Sequence, residues 1–287
     1  MFRKLISILA IMMFITGIAF FSYPWMQKWI GEKQQQEEII KFEKQKSELA
    51  KQTLDKLKSD MQNYNLNIYE NHQNDLQDAW SYEQEVFSLE AYGIDNSIIG
   101  TLEIEAMDVR LPLYLGASQE HLSKGATILG QTSMPIGGKN TNCVVAAHRG
   151  YRGESMFRDI EDLKKGDIIR LTNPWETMTY KVYDIAVITP DNIEAIKIFE
   201  NQDMLTLITC HPYTKNYQRY VVYCIREDNY DNQQINEELE NRKQDIDYES
   251  SSSNILNEKY LSIVTIVFLF ICLILMIFIK IYKKSKK

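Results

Sequence analysis

The sequence predicts a mainly β domain, a barrel or a sandwich, carried between two membrane-spanning helices. Three observations predict it. From Ile98 onward, GTLEI, VRLPLYLG, NCVVAAH, DIIRLTN, MTYKVYDIAVIT, MLTLITC and RYVVYCIRE are short, rich in β-branched residues and bounded by Gly, Pro, Asn or Asp. Seven or eight strands at such close spacing are the pattern of a barrel or sandwich. Two further stretches, one near each end of the 287 residues, carry no charge at all. Between the first of them and the strands, Glu, Lys and Gln dominate and apolar residues recur at helical spacing.

The elements follow in order. Residues 1–25 read as an anchor: Leu5 to Tyr23 is uncharged and follows Arg3 and Lys4. Its length is about the ~20 residues a helix needs to cross a bilayer. Phe20, Phe21, Tyr23 and Trp25 stand where a signal peptide would have a small-x-small cleavage site, so the anchor reads as uncleaved. Residues 26–75 read as a helical stalk surrounded by solvent, with Ile39, Ile40, Leu54, Leu57 and Met61 at roughly helical spacing and no sustained heptad. Residues 76–96 join it to the barrel at 97–228, within which helices are expected at Ser118 to Ile128 and near Met156 to Leu163. Residues 229–258 are polar and acidic and read as a linker. Residues 259–280 are the second span, centred on Leu261 to Ile279, and 281–287 are a basic tail.

Charge fixes the expected topology. Both spans are basic on the side of the chain terminus, which places both termini in the cytoplasm and the middle outside. All 39 acidic residues lie between the spans with 25 of the 32 basic ones, a balance of 25 − 39 = −14. That excess argues against a nucleic-acid partner. It suits a domain kept soluble by its charge. Three cysteines, Cys143, Cys210 and Cys224, fall outside the membrane, and an odd cysteine there flags a reactive thiol. Cys272 falls within the second span.

The chemistry-bearing residues cluster at strand ends. Cys210 closes TLITC and Arg219 opens RYVVY, so a hairpin returns the arginine to the cysteine. A cysteine nucleophile needs a proton-transfer partner, usually His. The four histidines are His72, His121, His148 and His211. His211 adjoins Cys210, but successive side chains in a strand point to opposite faces. His148 ends NCVVAAH before Arg149-Gly150, and two strands ending side by side bring it to the same rim as Cys210. A guanidinium at Arg219 would hold a substrate carbonyl or an oxyanion. Taken singly, a strand-end Cys is also a core residue and a strand-start Arg also a surface charge. No phosphate loop, dinucleotide fingerprint or zinc-ligand spacing is present, so no cofactor is expected.

TLITC followed by Arg219 resembles the TLxTC…R signature of sortases, the membrane-anchored cysteine transpeptidases of Gram-positive cell surfaces. GTLEI, RLPLYLGAS, LSKGATILGQTSMPIGGKNT and VVAAHRG follow the same order, so the resemblance covers about Ile98 to Arg226. A second span resembles class C, the pilin-polymerising sortases. The resemblance implies a closed eight-stranded β-barrel and a catalytic set of Cys210, His148 and Arg219. It implies cleavage of an LPXTG-type sorting signal between Thr and Gly, through a thioacyl enzyme, and transfer to a lysine amine of a pilin subunit. It also implies a lid, placed in residues 76–96, whose nearest match is Asp78-Ala79-Trp80 without the family's proline. Glu105-Ala106, where the family often has Pro, is a second departure. A wall-anchoring sortase, a membrane-bound cysteine protease and a two-span scaffold with a structural cysteine are the alternatives. LPLYLG, Leu111 to Gly116, looks like part of a sorting signal, but it lacks the Thr and Gly in place and reads as strand.

Overall fold

The computed structural model describes residues 2–74, 76, 87–94, 97–227 and 238–242, with single residues 255, 265 and 268. The chain divides into two compact units, 1–30 with 250–287, and 31–249. The second unit carries a closed barrel of eight strands in the order β1-β2-β3-β4-β7-β8-β6-β5. The strands are β1 (Ile98–Ile104), β2 (Val109–Leu115), β3 (Ala126–Ile128), β4 (Thr141–Ala146), β5 (Ile168–Thr172), β6 (Thr177–Ile188), β7 (Asp203–His211) and β8 (Gln218–Arg226). Neighbours are antiparallel except β2 with β3 and β4 with β7. Parallel neighbours cannot be joined by a tight turn, and here β5 and β6 intervene between β4 and β7. Closure brings β1 against β5, where a Cβ on Gly100 would sit 2.2 Å from the Thr172 carbonyl oxygen. Only glycine fits that approach.

Period two sorts the side chains into two sets. Every strand contributes to one apolar cluster, including Leu102, Leu113, Ile128, Val145, Leu171, Tyr180, Leu205, Leu207, Val222 and Cys224. A set drawn from the whole circuit is the barrel interior. The alternate residues Val144, Ala146, Met204, Ile208, Val221, Tyr223 and Ile225 pack on the outer face with Ala195, Ile196 and Phe199 of the β6–β7 connection. Cys143 and Cys224 are free, buried thiols in the interior set, each partnered in register with Leu205 of the strand between them.

Three features differ from the sequence expectation. The Ser118 to Ile128 segment is helical only over α3 (Gln119–Lys124), capped by the Ser118 hydroxyl accepting from the His121 N–H. Ala126–Ile128 is strand β3, parallel to β2. The switch falls at Gly125, where a Cβ would lie 2.5 Å from the Pro112 carbonyl oxygen. Near Met156 to Leu163 there is only a short 3-10 turn, Ile160–Asp162. The third difference concerns the stalk.

The stalk segment is helical but not free in solvent. It comprises the end of α1 (Phe2–Glu48) and α2 (Lys51–Glu70). In α2, Leu57, Met61, Asn65 and Ile68 fall on one face and are buried, and Leu57 and Met61 join the barrel's interior cluster. Burial of each such side chain stabilises by about 1.5–3 kcal/mol relative to exposure. Asn65 is buried because its side-chain oxygen accepts from the Met134 N–H at 2.7 Å. Gln73, just past α2, donates to the Gln131 carbonyl and accepts from the Ile198 N–H. The stripe at i, i+4 is therefore a docking face for the barrel.

Among the described residues no helix is long and apolar enough to cross a membrane. The side chains of residues 1–10 and nearly all of 259–280 lie outside the described residues.

Candidate active site

The register of the last two strands sets the geometry. β7 and β8 pair antiparallel with Cys210 opposite Arg219, and β8 pairs β6 with Arg219 opposite Ile188. The hairpin expected from the sequence thus places the thiol and the guanidinium on neighbouring strand ends. Cys210 packs against the outer cluster, on the same face as Ile208. Arg219 shares the parity of Val221, Tyr223 and Ile225, which is that face too.

His148 reaches the rim from the other side of β7. β4 and β7 run parallel with Ala146 beside Ile208, an offset of 208 − 146 = 62. Pairing continues past β4: the Ala147 N–H donates to the Ile208 carbonyl at 3.4 Å, and the Thr209 hydroxyl donates to the Ala147 carbonyl at 2.7 Å. By the same offset, His148 would fall level with Cys210. The His148 ring stacks on Tyr151 at 5.0 Å, and its carbonyl accepts from the Phe157 N–H at 3.0 Å. Cys210 and Arg219 are thus register partners at the end of the barrel where β4 also ends, two residues before His148.

The electrostatics favour an uncharged resting pair. Burial pushes the Cys210 thiol up from its ordinary value, although Arg219 and then Arg149 pull it down. Burial pushes the His148 imidazole down. Both shifts disfavour the charged form. Arg219 is only 9% exposed, and its Nη1 donates to the Gln218 carbonyl at 2.9 Å and the Asn216 carbonyl at 3.1 Å. Those two bonds fix the guanidinium on the turn that leads into β8.

His211 goes to the opposite face. Its ring is fully buried and lies 5.4 Å from the Tyr220 ring, within the interior set. Sequence reasoning missed the residues around it. Arg149 Nη1 lies 2.7 Å from His211 Nδ1, and Arg149 pairs with Glu161, which is in the 3-10 turn. Asp78 and Trp80, the expected lid, lie outside the described residues.

Known proteins resemble this chain. A family model described as a sortase domain matches residues 102–227. The pilus-related sortase C of Group B Streptococcus is 32% identical with a TM-score of 0.58, covering 64% of this chain and 94% of that one. The chain belongs to the sortase family. It is accordingly a cysteine transpeptidase by family. A second sortase C, from Clostridium perfringens and solved with the C-terminal cell wall sorting motif, is 30% identical with a TM-score of 0.58. The match covers 67% of this chain and 98% of that one. Among curated sequences, sortase A of Bacillus anthracis is 28% identical over 222 residues, which is 77% of this chain and 93% of that protein. The structural neighbours are class C sortases, whereas this curated relative is a sortase A by name.

Proposed function

We propose that this sortase cleaves an LPXTG-type sorting signal between Thr and Gly and joins the acyl product to a lysine amine of a pilin subunit. The observation that carries the reading is the pairing of Cys210 with Arg219 at the barrel end where β4 runs out toward His148. The class C neighbours, one named as pilus-related and one solved with a sorting motif, support the substrate class.

The site acts in two halves. His148 takes the Cys210 proton as the sulfur attacks the Thr carbonyl, and the oxyanion of the tetrahedral intermediate accepts from the Arg219 guanidinium. His148 then gives that proton to the Gly nitrogen as the C–N bond breaks, leaving a thioester on Cys210. In the second half His148 removes a proton from the incoming lysine amine. The amine attacks the thioester, an isopeptide bond forms and the Cys210 thiol is restored. The uncharged resting pair suits this sequence, because one proton is shuttled and none is gained or lost overall.

The reading includes anchoring by two spans with both termini in the cytoplasm and the catalytic unit outside. Charge-free Leu5–Tyr23 and Leu261–Ile279, each with basic residues on the side of the chain terminus, support it. So do the exposed apolar side chains of α1, among them Met13, Phe20 and Trp25. Asp78 and Trp80 keep their role as a lid on sequence grounds alone. A second acceptor, an amine of the cell wall, goes with a class A assignment, and the likeness to sortase A favours it.

The test is transfer from a sorting peptide to a lysine-bearing pilin fragment, with a wall-type amine in parallel. An isopeptide adduct to the pilin lysine and a thioester on Cys210 are expected. Adduct with the wall amine alone would select the second acceptor. Free acid alone, at any amine concentration, would show a protease.

A further inference from the structure

The residues that follow the three catalytic candidates meet. Arg149 follows His148, His211 follows Cys210 and Tyr220 follows Arg219. Successive strand residues face opposite ways, so a site on the outer face leaves its three neighbours on the inner one. They are in contact there. Arg149 Nη1 lies 2.7 Å from His211 Nδ1, the Arg149 guanidinium lies 5.7 Å from the Tyr220 ring centre, and the His211 and Tyr220 rings are 5.4 Å apart. Glu161 joins from the 3-10 turn, paired with Arg149 and with Oε1 3.3 Å from His211 Nδ1.

Arginine has no acceptor, so in this contact His211 Nδ1 accepts and Arg149 donates. Arg149 also reaches two carbonyl oxygens, that of Arg158 from Nε at 3.4 Å and that of Cys210 from Nη1 at 3.5 Å. One planar guanidinium thus ties the end of β4, the end of β7 and the turn that carries Glu161. A buried charge this well partnered holds its surroundings rigidly, because separating any pair leaves an uncompensated charge.

We infer that Arg149, Glu161 and His211 are positioning residues that set the distance between the His148 ring and the Cys210 thiol from the opposite face of the barrel. This rests on the catalytic roles proposed above. Proton transfer depends steeply on that distance, whereas binding of an extended peptide does not, so the cluster acts on turnover rather than on substrate affinity.

The experiment compares Glu161→Gln, His211→Leu and His211→Asn with the full-length protein, using sorting-peptide kinetics and thermal melting. Glu161→Gln keeps the shape and removes the charge. His211→Leu removes the acceptor for Arg149, and His211→Asn restores one. Glu161→Gln and His211→Leu are expected to lower kcat about tenfold, short of the ~10²-fold that a 1 Å misplacement can cost, with KM within twofold of wild type. His211→Asn is expected to recover most of kcat. Wild-type kcat in both Glu161→Gln and His211→Leu would overturn the inference. So would a change confined to KM, or an Asn variant as slow as the Leu one. If one variant fails to fold, the other decides. If both fail, the cluster is a stability element only and the inference falls. A Cys210→Ala control separates the two levels: activity surviving it would refute the catalytic reading itself, not merely the positioning.

Discussion

The two ends of β7 each carry a buried acidic group near an arginine of β8, and they have been put to different uses. At one end Asp203 is 3% exposed and fully enclosed. It accepts from the Tyr180 hydroxyl at 2.9 Å and the Gly138 N–H at 2.8 Å, with Arg226 Nη1 at 3.8 Å. At the other end Cys210 is half-buried opposite Arg219, whose Nη1 is engaged with the backbone of its own turn. Burial raises the pKa of both groups. The difference is saturation. The carboxyl group of Asp203 meets a donor at each oxygen, one of them in the loop before β4, while the thiol of Cys210 is only partly buried.

The largest expected effect breaks the open end. Cys210→Ala should abolish peptide cleavage, whereas Cys143→Ala and Cys224→Ala, which empty interior sites, should leave most of it. Mass spectrometry of the thioester gives the same answer independently of turnover. Next come the partners of the thiol. His148→Ala should lower kcat by at least ~10²-fold, the low end for losing a general acid–base group. Arg219→Lys keeps charge but loses the planar fork, so its loss should approach the ~10²–10³-fold of a removed oxyanion donor. A fully active Lys variant would mean that only charge matters there.

The pH profile sharpens the same contrast. The site works with one proton on the Cys210–His148 pair. Falling pH adds a second proton to His148, whose pKa is lowered, so the acid limb of kcat/KM should lie below the ordinary imidazole value of 6.5. Rising pH strips the thiol, whose pKa is raised, and leaves no proton for the departing amine. The alkaline limb should therefore lie above the ordinary thiol value of 9.0. An alkaline limb below that thiol value would show that Arg219 and Arg149 outweigh burial at Cys210.

How much of this was legible in the sequence follows from period two. TLITC and RYVVY are apolar, β-branched runs on either side of a polar turn, so the hairpin that returns Arg219 to Cys210 and the exclusion of His211 could be read from the sequence. His148 followed from a strand end before a Gly turn. β3 could not be read, because three residues following a helix carry no period of their own. The docking face of α2 was hidden by composition: Leu57 and Met61 repeat at i, i+4, but the next buried position is Asn65, whose partner is the backbone of Met134. Glu161 gave no signal at all. Its meeting with Arg149 and His211 depends on the path of the β4–β5 connection, which no local pattern states. Only the alternation that excluded His211 hints that Arg149 and Tyr220 share its face.

The smallest effect on activity should come from the closed end, and it tests whether enclosure alone makes a group structural. Asp203→Asn keeps an acceptor for the Tyr180 hydroxyl but sets an amide N–H₂ against the Gly138 N–H. A buried donor left without an acceptor costs about 1–3 kcal/mol. kcat should stay near wild type, since Asp203 lies seven residues down the strand from Cys210. The pH dependence of stability should change as well. A carboxyl whose folded pKa is raised holds its proton more tightly in the native state, so its contribution is fully present below the unfolded value of 3.8. That contribution is lost as pH rises through the folded pKa. Asparagine does not titrate, so the stability gap between wild type and Asp203→Asn should be widest at low pH and narrow as pH rises through that window. Denaturant midpoints of the two proteins across the acid range measure it. A gap that widens with pH would mean that Gly138, Tyr180 and Arg226 together hold the carboxylate ionised, and that Asp203 is a saturated anion rather than a buried acid.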